Sequence, residues 1–288
     1  MKLWIEATRP KTLIASISPV LIGTVIAKGL GSWNLTLFLA ILIFALCIQI
    51  GTNFANDYID FLKGADTNKR KGPRRLVQAG LVSVKKMRIV TLAIFLIAGI
   101  LGLYLMQAGG WQIGALAFTA ILFGYLYTGG PYPLGYLGLG DLFVLIFFGP
   151  VAVAGTTYLQ TGKLSSVAII AGCAPGLFST AMLALNNIRD IEEDKVANKK
   201  TLPVRLGATF GKWEAILCLI LPCVIPIVLF CLAPTHGYIL ITMGSLPLII
   251  PLIQNIWHAS NTSISPLFPK VGKAFIFYTL LFVGGWLL

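Results

Sequence analysis

Charge and histidine are scarce in this 288-residue chain. Only 11% of its residues are Asp, Glu, Lys or Arg, against 57% apolar, and the mean hydropathy is +0.87. A water-soluble globule of this length cannot bury that much apolar surface and still present a polar exterior. Lipid is therefore the expected solvent, and a soluble enzyme is excluded. The two histidines, His236 and His258, stand at the ends of apolar segments and are given no chemical role. The five cysteines (Cys47, Cys173, Cys218, Cys223 and Cys231) lie within apolar segments without CxxC spacing, so neither a disulfide framework nor a zinc site is implied. No small-residue cleavage site stands out ahead of the first apolar run, and no cleaved signal peptide is expected.

What the chain has in quantity is long apolar runs. They fall at roughly 13–30, 34–55, 89–107, 111–128, 141–159, 165–187, 213–233, 237–257 and 271–288, each near the ~20 residues that a helix needs to cross a bilayer. The expected fold class is all-α: a polytopic membrane protein with nine transmembrane helices, one domain over 1–288 built of two pseudo-repeats, 1–130 and 131–288. The net charge of +12 is explained by orientation before any nucleic acid is invoked, because cytoplasmic loops collect Lys and Arg. With the N-terminus inside, the basic residues gather in the loops 58–88 and 188–212, and only Lys28 and Lys163 are left outside. An N-in, C-out arrangement follows, with both charged loops on the cytoplasmic side. The basic cluster at 69–75 is denser than orientation needs, which leaves phosphate or anionic lipid headgroups as further partners.

The few carboxylates are not scattered. Eight of the ten lie in or beside two stretches, NFANDYIDFLKGADTNKRKGPRR (Asn53 to Arg75) and NNIRDIEEDKVANKKTLPVR (Asn186 to Arg205). Ionisable groups near membrane depth are costly, so such a cluster marks a functional site. Asn53, Asn56, Asp57 and Asp60 stand at i, i+3, i+4 and i+7, and Asn186, Asp190 and Asp194 at i, i+4 and i+8; on a helix each set shares one face. Carboxylate and amide oxygens without His or Cys suit a hard cation such as Mg2+, which binds through a few carboxylates and substrate phosphates. Helix-end residues would also read as Asn and Asp, but two matching elements with one spacing favour a paired metal–diphosphate site. Asp141 is read as the cap of the fifth span.

NDYID with KGAD, and NNIRDIEEDKVANKKTLPVRLG, resemble the two aspartate-rich motifs of the UbiA superfamily of intramembrane prenyltransferases. RPKTL (Arg9 to Leu13), ANDYIDFLKGADTNKRKGPRRLVQAG and YTGGPYPLGYLGLGD (Tyr127 to Asp141) are most similar to the superfamily's menaquinone branch, and the likeness covers essentially the whole chain. The step of six from Asp60 to Asp66 fits that branch, whereas the 4-hydroxybenzoate branch has four. The resemblance implies Mg2+ held by Asn56, Asp60 and Asp66 and by Asn186, Asp190 and Asp194. It further implies transfer from a polyprenyl diphosphate to 1,4-dihydroxy-2-naphthoate with loss of CO2, in a bacterial inner membrane, with the site on the cytoplasmic side. Lys63, Arg74 and Arg189 are candidates to assist diphosphate departure, and Asn53, Asp57, Lys11, Lys199 and Lys200 to bind substrate. Tyr58, Tyr125 and Tyr127 are candidates to face the allylic cation and equally fit ordinary interfacial aromatics. Asn198 departs from the subfamily's usual Gly before the basic pair, which implies a loop adjustment. Another acceptor such as 4-hydroxybenzoate is the nearest alternative; a transporter is the remote one, because its polar residues would sit at the midplane.

Overall fold

A computed structural model describes residues 2–66, 72–261 and 263–288, and among them helix is the sole regular structure. Lipid cannot satisfy open backbone groups, so an apolar chain of this kind folds segment by segment into helices. In order these are α1 (Lys2–Ala7), a 3-10 turn (Pro10–Thr12), α2 (Ile14–Gly29), α3 (Leu35–Leu62), α4 (Val84–Gly109) and α5 (Trp111–Leu126). Then come α6 (Gly140–Phe147), α7 (Pro150–Thr161), α8 (Ser166–Arg189), α9 (Ile191–Val196), α10 (Leu202–Leu206), α11 (Ala208–Leu232), a 3-10 stretch (Pro234–Ser245), α12 (Leu246–His258) and α13 (Leu267–Leu287).

Each apolar run read from the sequence is helical, but their number as spans is not established at nine. Seven runs are long and apolar enough to cross a bilayer: α3, α4, Gly140–Thr161, α8, α11, Pro234–His258 and α13. The pair Lys2–Thr12 and Ile14–Gly29, bent by 57°, makes an eighth if it counts as one span. Helix α5 has 16 residues, or about 24 Å at 1.5 Å per residue, short of the ~30 Å hydrocarbon core. The protein is a multi-pass membrane protein. On α4, Ile89, Leu92, Leu96, Ile100 and Leu103 are exposed at spacings of three and four, a stripe suited to lipid.

Helix α8 is the central post. Phe178, Ala181, Leu185 and Ile188 are fully or almost fully buried, and Phe178 stacks on Phe275 of α13 with ring centroids 5.0 Å apart. Gly172 and Gly176 let the break between α6 and α7 sit against its backbone. A Cβ at Gly176 would lie 2.4 Å from the Leu145 carbonyl oxygen, and one at Gly172 would lie 2.6 Å from Pro150 Cα. Small residues four apart permit this approach, and it fixes the helix that ends in the second polar stretch.

Candidate active site

The last two turns of α3 carry the first motif. The sequence places the end of this apolar run at 55, yet the helix continues to Leu62, so Asn53, Asn56, Asp57 and Asp60 are all helical and share one side as the spacing predicts. Gly64 then turns the chain at φ 71°, a left-handed conformation that glycine adopts without steric cost, and the chain comes back with Asp66 buried. Asp60 is held from two sides: Arg75 Nη2 donates to its Oδ2 and the Tyr136 hydroxyl to its Oδ1, both at 2.9 Å. Arg75 Nε stands 3.3 Å from Asp66 Oδ2, so one buried guanidinium bridges both carboxylates. Burial opposes charge on Arg75, but Asp60, Asp66 and Asp57 outweigh it and hold its pKa above the ordinary arginine value. Asn53 Nδ2 donates to the Thr8 carbonyl at 3.0 Å, and the Thr128 hydroxyl donates to Asn56 Oδ1.

The second motif straddles a helix break. Helix α8 ends at Arg189, and Asp190 (φ −96°, ψ 9°) separates it from α9. The i to i−4 bonds nevertheless run on, from Asp190 N to Asn186 O at 3.0 Å and from Asp194 N to Asp190 O at 2.8 Å, which keeps Asn186, Asp190 and Asp194 in line. Arg189 grips Asp190 with two bonds, Nε to Oδ1 at 2.6 Å and Nη2 to Oδ2 at 2.7 Å, and Lys199 Nζ lies 3.5 Å from Asp194 Oδ1. Burial first, with Asp190 adding and Lys199 opposing, pushes the Asp194 carboxyl up to about 6. Asn198 has φ 54°, a left-handed conformation that Asn tolerates better than most residues. Asp141 stands in the first turn of α6, whose N-cap is Leu139, and accepts from Asn187 Nδ2 at 3.3 Å. It therefore ties α6 to α8 where a simple cap was expected.

Both motifs line a polar cavity of about 200 Å³, to which Asn53, Asn56, Asp60, Asp66, Asn186, Arg189, Asp190, Asp194, Lys199 and Tyr127 contribute. An apolar cavity of about 180 Å³ lies beyond, between α2, α3, α4, α5 and the α6–α7 span, and the two share Thr52, Tyr127, Val144 and Phe148. Several expected residues stand elsewhere. Asp57 accepts from the backbone N–H groups of Leu76 and Val77, each at 2.9 Å, and so pins the loop that presents Arg75. Tyr58 is buried under Arg88, whose guanidinium lies 5.7 Å from the ring centre. Lys11, Arg74 and Lys200 are exposed and outside the cavity lining. Lys63 donates to the Thr128 carbonyl at 2.6 Å and sits 4.7 Å over the Tyr136 ring, at the roof and not in the wall. Of the basic cluster at 69–75, Lys69, Arg70 and Lys71 lie outside the described residues.

Three residues that the sequence does not single out individually enter the site. Arg75 is the first. Tyr136 is the second, with Lys63 and Lys199 from the two motifs both near its ring (4.7 and 5.7 Å); burial and then Asp60 raise its pKa, so the hydroxyl stays a donor. Arg9 is the third, a cavity-lining residue at φ 54°, a conformation costly for a residue with a Cβ. Its only sequence signal is the RPKTL motif.

Among the described residues no three or more His, Cys, Asp or Glu side chains gather closely enough to ligate one ion by themselves. The donor set still fits a divalent metal. Each motif offers two carboxylates and an amide oxygen, and Mg2+ commonly completes such a partial shell with water and substrate phosphate oxygens.

A multi-pass helical bundle with two aspartate-bearing helix ends around one cavity, opening to an apolar chamber, defines an intramembrane enzyme class that handles a charged head and a lipid tail. The chain belongs to the UbiA prenyltransferase family, whose model matches residues 16–287. It is 34% identical over 98% of its length to the 1,4-dihydroxy-2-naphthoate octaprenyltransferase of Escherichia coli (strain K12), covering 94% of that protein. It is 39% identical over 74% of its length to the Haemophilus influenzae enzyme of the same name, covering 71%. Its fold matches a UbiA homologue from Archaeoglobus fulgidus bound to GPP and Mg2+, with a TM-score of 0.69 at 16% identity, over 99% of this chain and 98% of that one.

Proposed function

We propose that this prenyltransferase moves a polyprenyl group from polyprenyl diphosphate to 1,4-dihydroxy-2-naphthoate, with loss of CO2 and diphosphate, at the cytoplasmic face of a bacterial inner membrane. The observation that carries the reading is the junction of the two cavities at Thr52, Tyr127, Val144 and Phe148. A diphosphate head belongs among the carboxylates and cations, and an isoprenoid tail among Ile41, Phe44, Ile48 and Leu105. The naphthoate acceptor is supported by the names of the relatives that match most of the chain. Orientation is supported by the gathering of Lys and Arg on the loops around the motifs.

Mg2+ held by Asn56, Asp60 and Asp66 and by Asn186, Asp190 and Asp194 would supply electrostatic stabilisation of the leaving diphosphate. Arg189, Lys199 and Arg75 add fixed positive charge around the same space. Tyr127 is kept protonated by burial, reinforced by Asp141, Asp194 and Asp60; it presents a neutral ring where the allylic carbon passes from the polar to the apolar cavity. Apolar walls exclude water from that carbon. The acceptor ring bonds to it as the C–O bond to diphosphate breaks, the ring carboxylate leaves as CO2 and returns its bonding pair to the ring, and the product is the prenylated quinol, the reduced form of demethylmenaquinone.

Membranes carrying the chain, supplied with radiolabelled polyprenyl diphosphate, test this directly. Label is expected to enter lipid with 1,4-dihydroxy-2-naphthoate and Mg2+, and to fall at least 100-fold in Asp60→Asn or Asp190→Asn, the order found when one stabilising group is removed. Equal labelling with 4-hydroxybenzoate would move the assignment to another acceptor.

A further inference from the structure

Arg75 is an arginine buried among the carboxylates of the first motif, with 4% of its surface exposed. Its neighbours on the chain hold it there. Leu76 and Val77 give their backbone N–H groups to Asp57, and their side chains are packed with Phe54, Tyr58 and Ile59. The guanidinium is thereby delivered between Asp60 and Asp66, paired to Oδ2 of each at 2.9 and 3.3 Å. Its Nη1 is buried and has no hydrogen-bond partner among the described residues, and the residue lines the polar cavity. A donor with nowhere to donate costs about 1–3 kcal/mol when buried, and charged donors cost more. Such a group persists where a ligand gives it a partner.

We propose that Arg75 is an internal competitor of the divalent cation: it claims the same Asp60 and Asp66 oxygens, and when a metal takes them it turns its fork to the substrate diphosphate. The proposal rests on the metal–diphosphate reading above. Two cations cannot share two carboxylates at full strength, so a metal arriving alone must displace a fixed guanidinium and strand it in a buried site. A diphosphate arriving with the metal removes that penalty, because phosphate oxygens accept both arms of an arginine fork. Metal and diphosphate then bind as a coupled pair, each raising the affinity for the other by one factor. In this role Arg75 is a positioning residue, distinct from the metal ligands.

The test measures Mn2+ binding by electron paramagnetic resonance to the full-length protein in lipid nanodiscs, with and without geranyl S-thiolodiphosphate. Arg75→Gln is expected to bind Mn2+ alone about tenfold more tightly than the unaltered protein, within the usual range of coupling between sites, and to bind the thiolodiphosphate about tenfold more weakly at saturating Mn2+. Arg75→Lys keeps the charge but cannot span both carboxylates, and is expected to shift both affinities in the same directions by a smaller factor. If Arg75→Gln shows no cooperative thermal unfolding, Arg75→Lys decides. Unchanged or weaker Mn2+ binding in the folded variants would overturn the proposal. Asp60→Asn separates the two levels: if Mn2+ is bound equally with and without that carboxylate, or if the unaltered protein binds no Mn2+ even with the thiolodiphosphate present, the underlying metal–diphosphate reading fails as well.

Discussion

Neighbouring residues of one type do unlike work here. Arg74 is exposed while Arg75 is buried between two carboxylates, and the basic run Lys-Gly-Pro-Arg-Arg contains no signal that separates them. The distinction comes from Asp57, which fixes the register of the loop by taking the N–H groups of Leu76 and Val77. The family resemblance makes Asp57 a candidate to bind substrate, and its spacing puts it on one helical face with Asn53, Asn56 and Asp60. Its two oxygens are spent on backbone. Asp57→Ala is therefore expected to cost about 2–4 kcal/mol of stability, from two lost bonds to a charged acceptor, and to lower the unfolding temperature in detergent. A normal melt with lost substrate binding would restore the simpler role.

The metal role proposed for Asp194 would give the site a pH dependence. Its carboxyl, raised to about 6, is neutral below that pH and a poor metal ligand there. Turnover at limiting Mg2+ is expected to fall as pH drops through about 6, and added Mg2+ to move the fall to lower pH by competing with the proton. A flat profile between pH 5 and 7 at limiting Mg2+, values set around the pKa by ordinary titration, would contradict this.

At the scale of helices, periodicity locates the apolar runs well and their polar ends poorly. Hydropathy stops α3 at 55 because Asn53, Asn56, Asp57 and Asp60 are polar, yet the helix runs to Leu62. Those four residues keep their helical bonds and find partners in the loops, so a polar composition marks a lined site there and not a helix end. The opposite limit shows at Asp190, where uninterrupted spacing conceals a break between α8 and α9. The glycine notch of α8 was equally silent, because Gly172 and Gly176 gain meaning only from the Leu145–Pro150 backbone laid against them. Gly176→Ala places a Cβ 2.4 Å from a carbonyl oxygen, and the forced shift is expected to cost about 1–3 kcal/mol. The matching observation would be reduced thermal stability together with weakened activity, since the shift bears on the helix that carries Asn186 and Asp190. Unchanged stability and activity would show that the α6–α7 contact does not position the motif.

For the whole molecule, composition alone assigns the solvent and the fold class, because 57% apolar residues leave lipid as the only accommodation. The pairing of two distant polar stretches is also legible, through matching Asn and Asp spacings. What composition cannot convey is the roof. Tyr136 is one tyrosine among nine, and its place follows from Lys200 N donating to its carbonyl at 2.9 Å and Arg205 Nη2 donating to the Leu137 carbonyl at 2.8 Å. These bonds bring the loop between α5 and α6 over Asp60. The meeting of the polar and apolar cavities likewise depends on Thr52 of α3, Tyr127 at the end of α5, and Val144 and Phe148 in and just after α6 coming together.

That meeting is the core of the functional account, and mass spectrometry of the product tests it most directly. Purified protein given Mg2+, a polyprenyl diphosphate and 1,4-dihydroxy-2-naphthoate is predicted to yield a lipid whose mass equals the prenylated ring with the carboxyl group lost. A prenylated product that retains the carboxylate, or no product with this acceptor and one with 4-hydroxybenzoate, would contradict it.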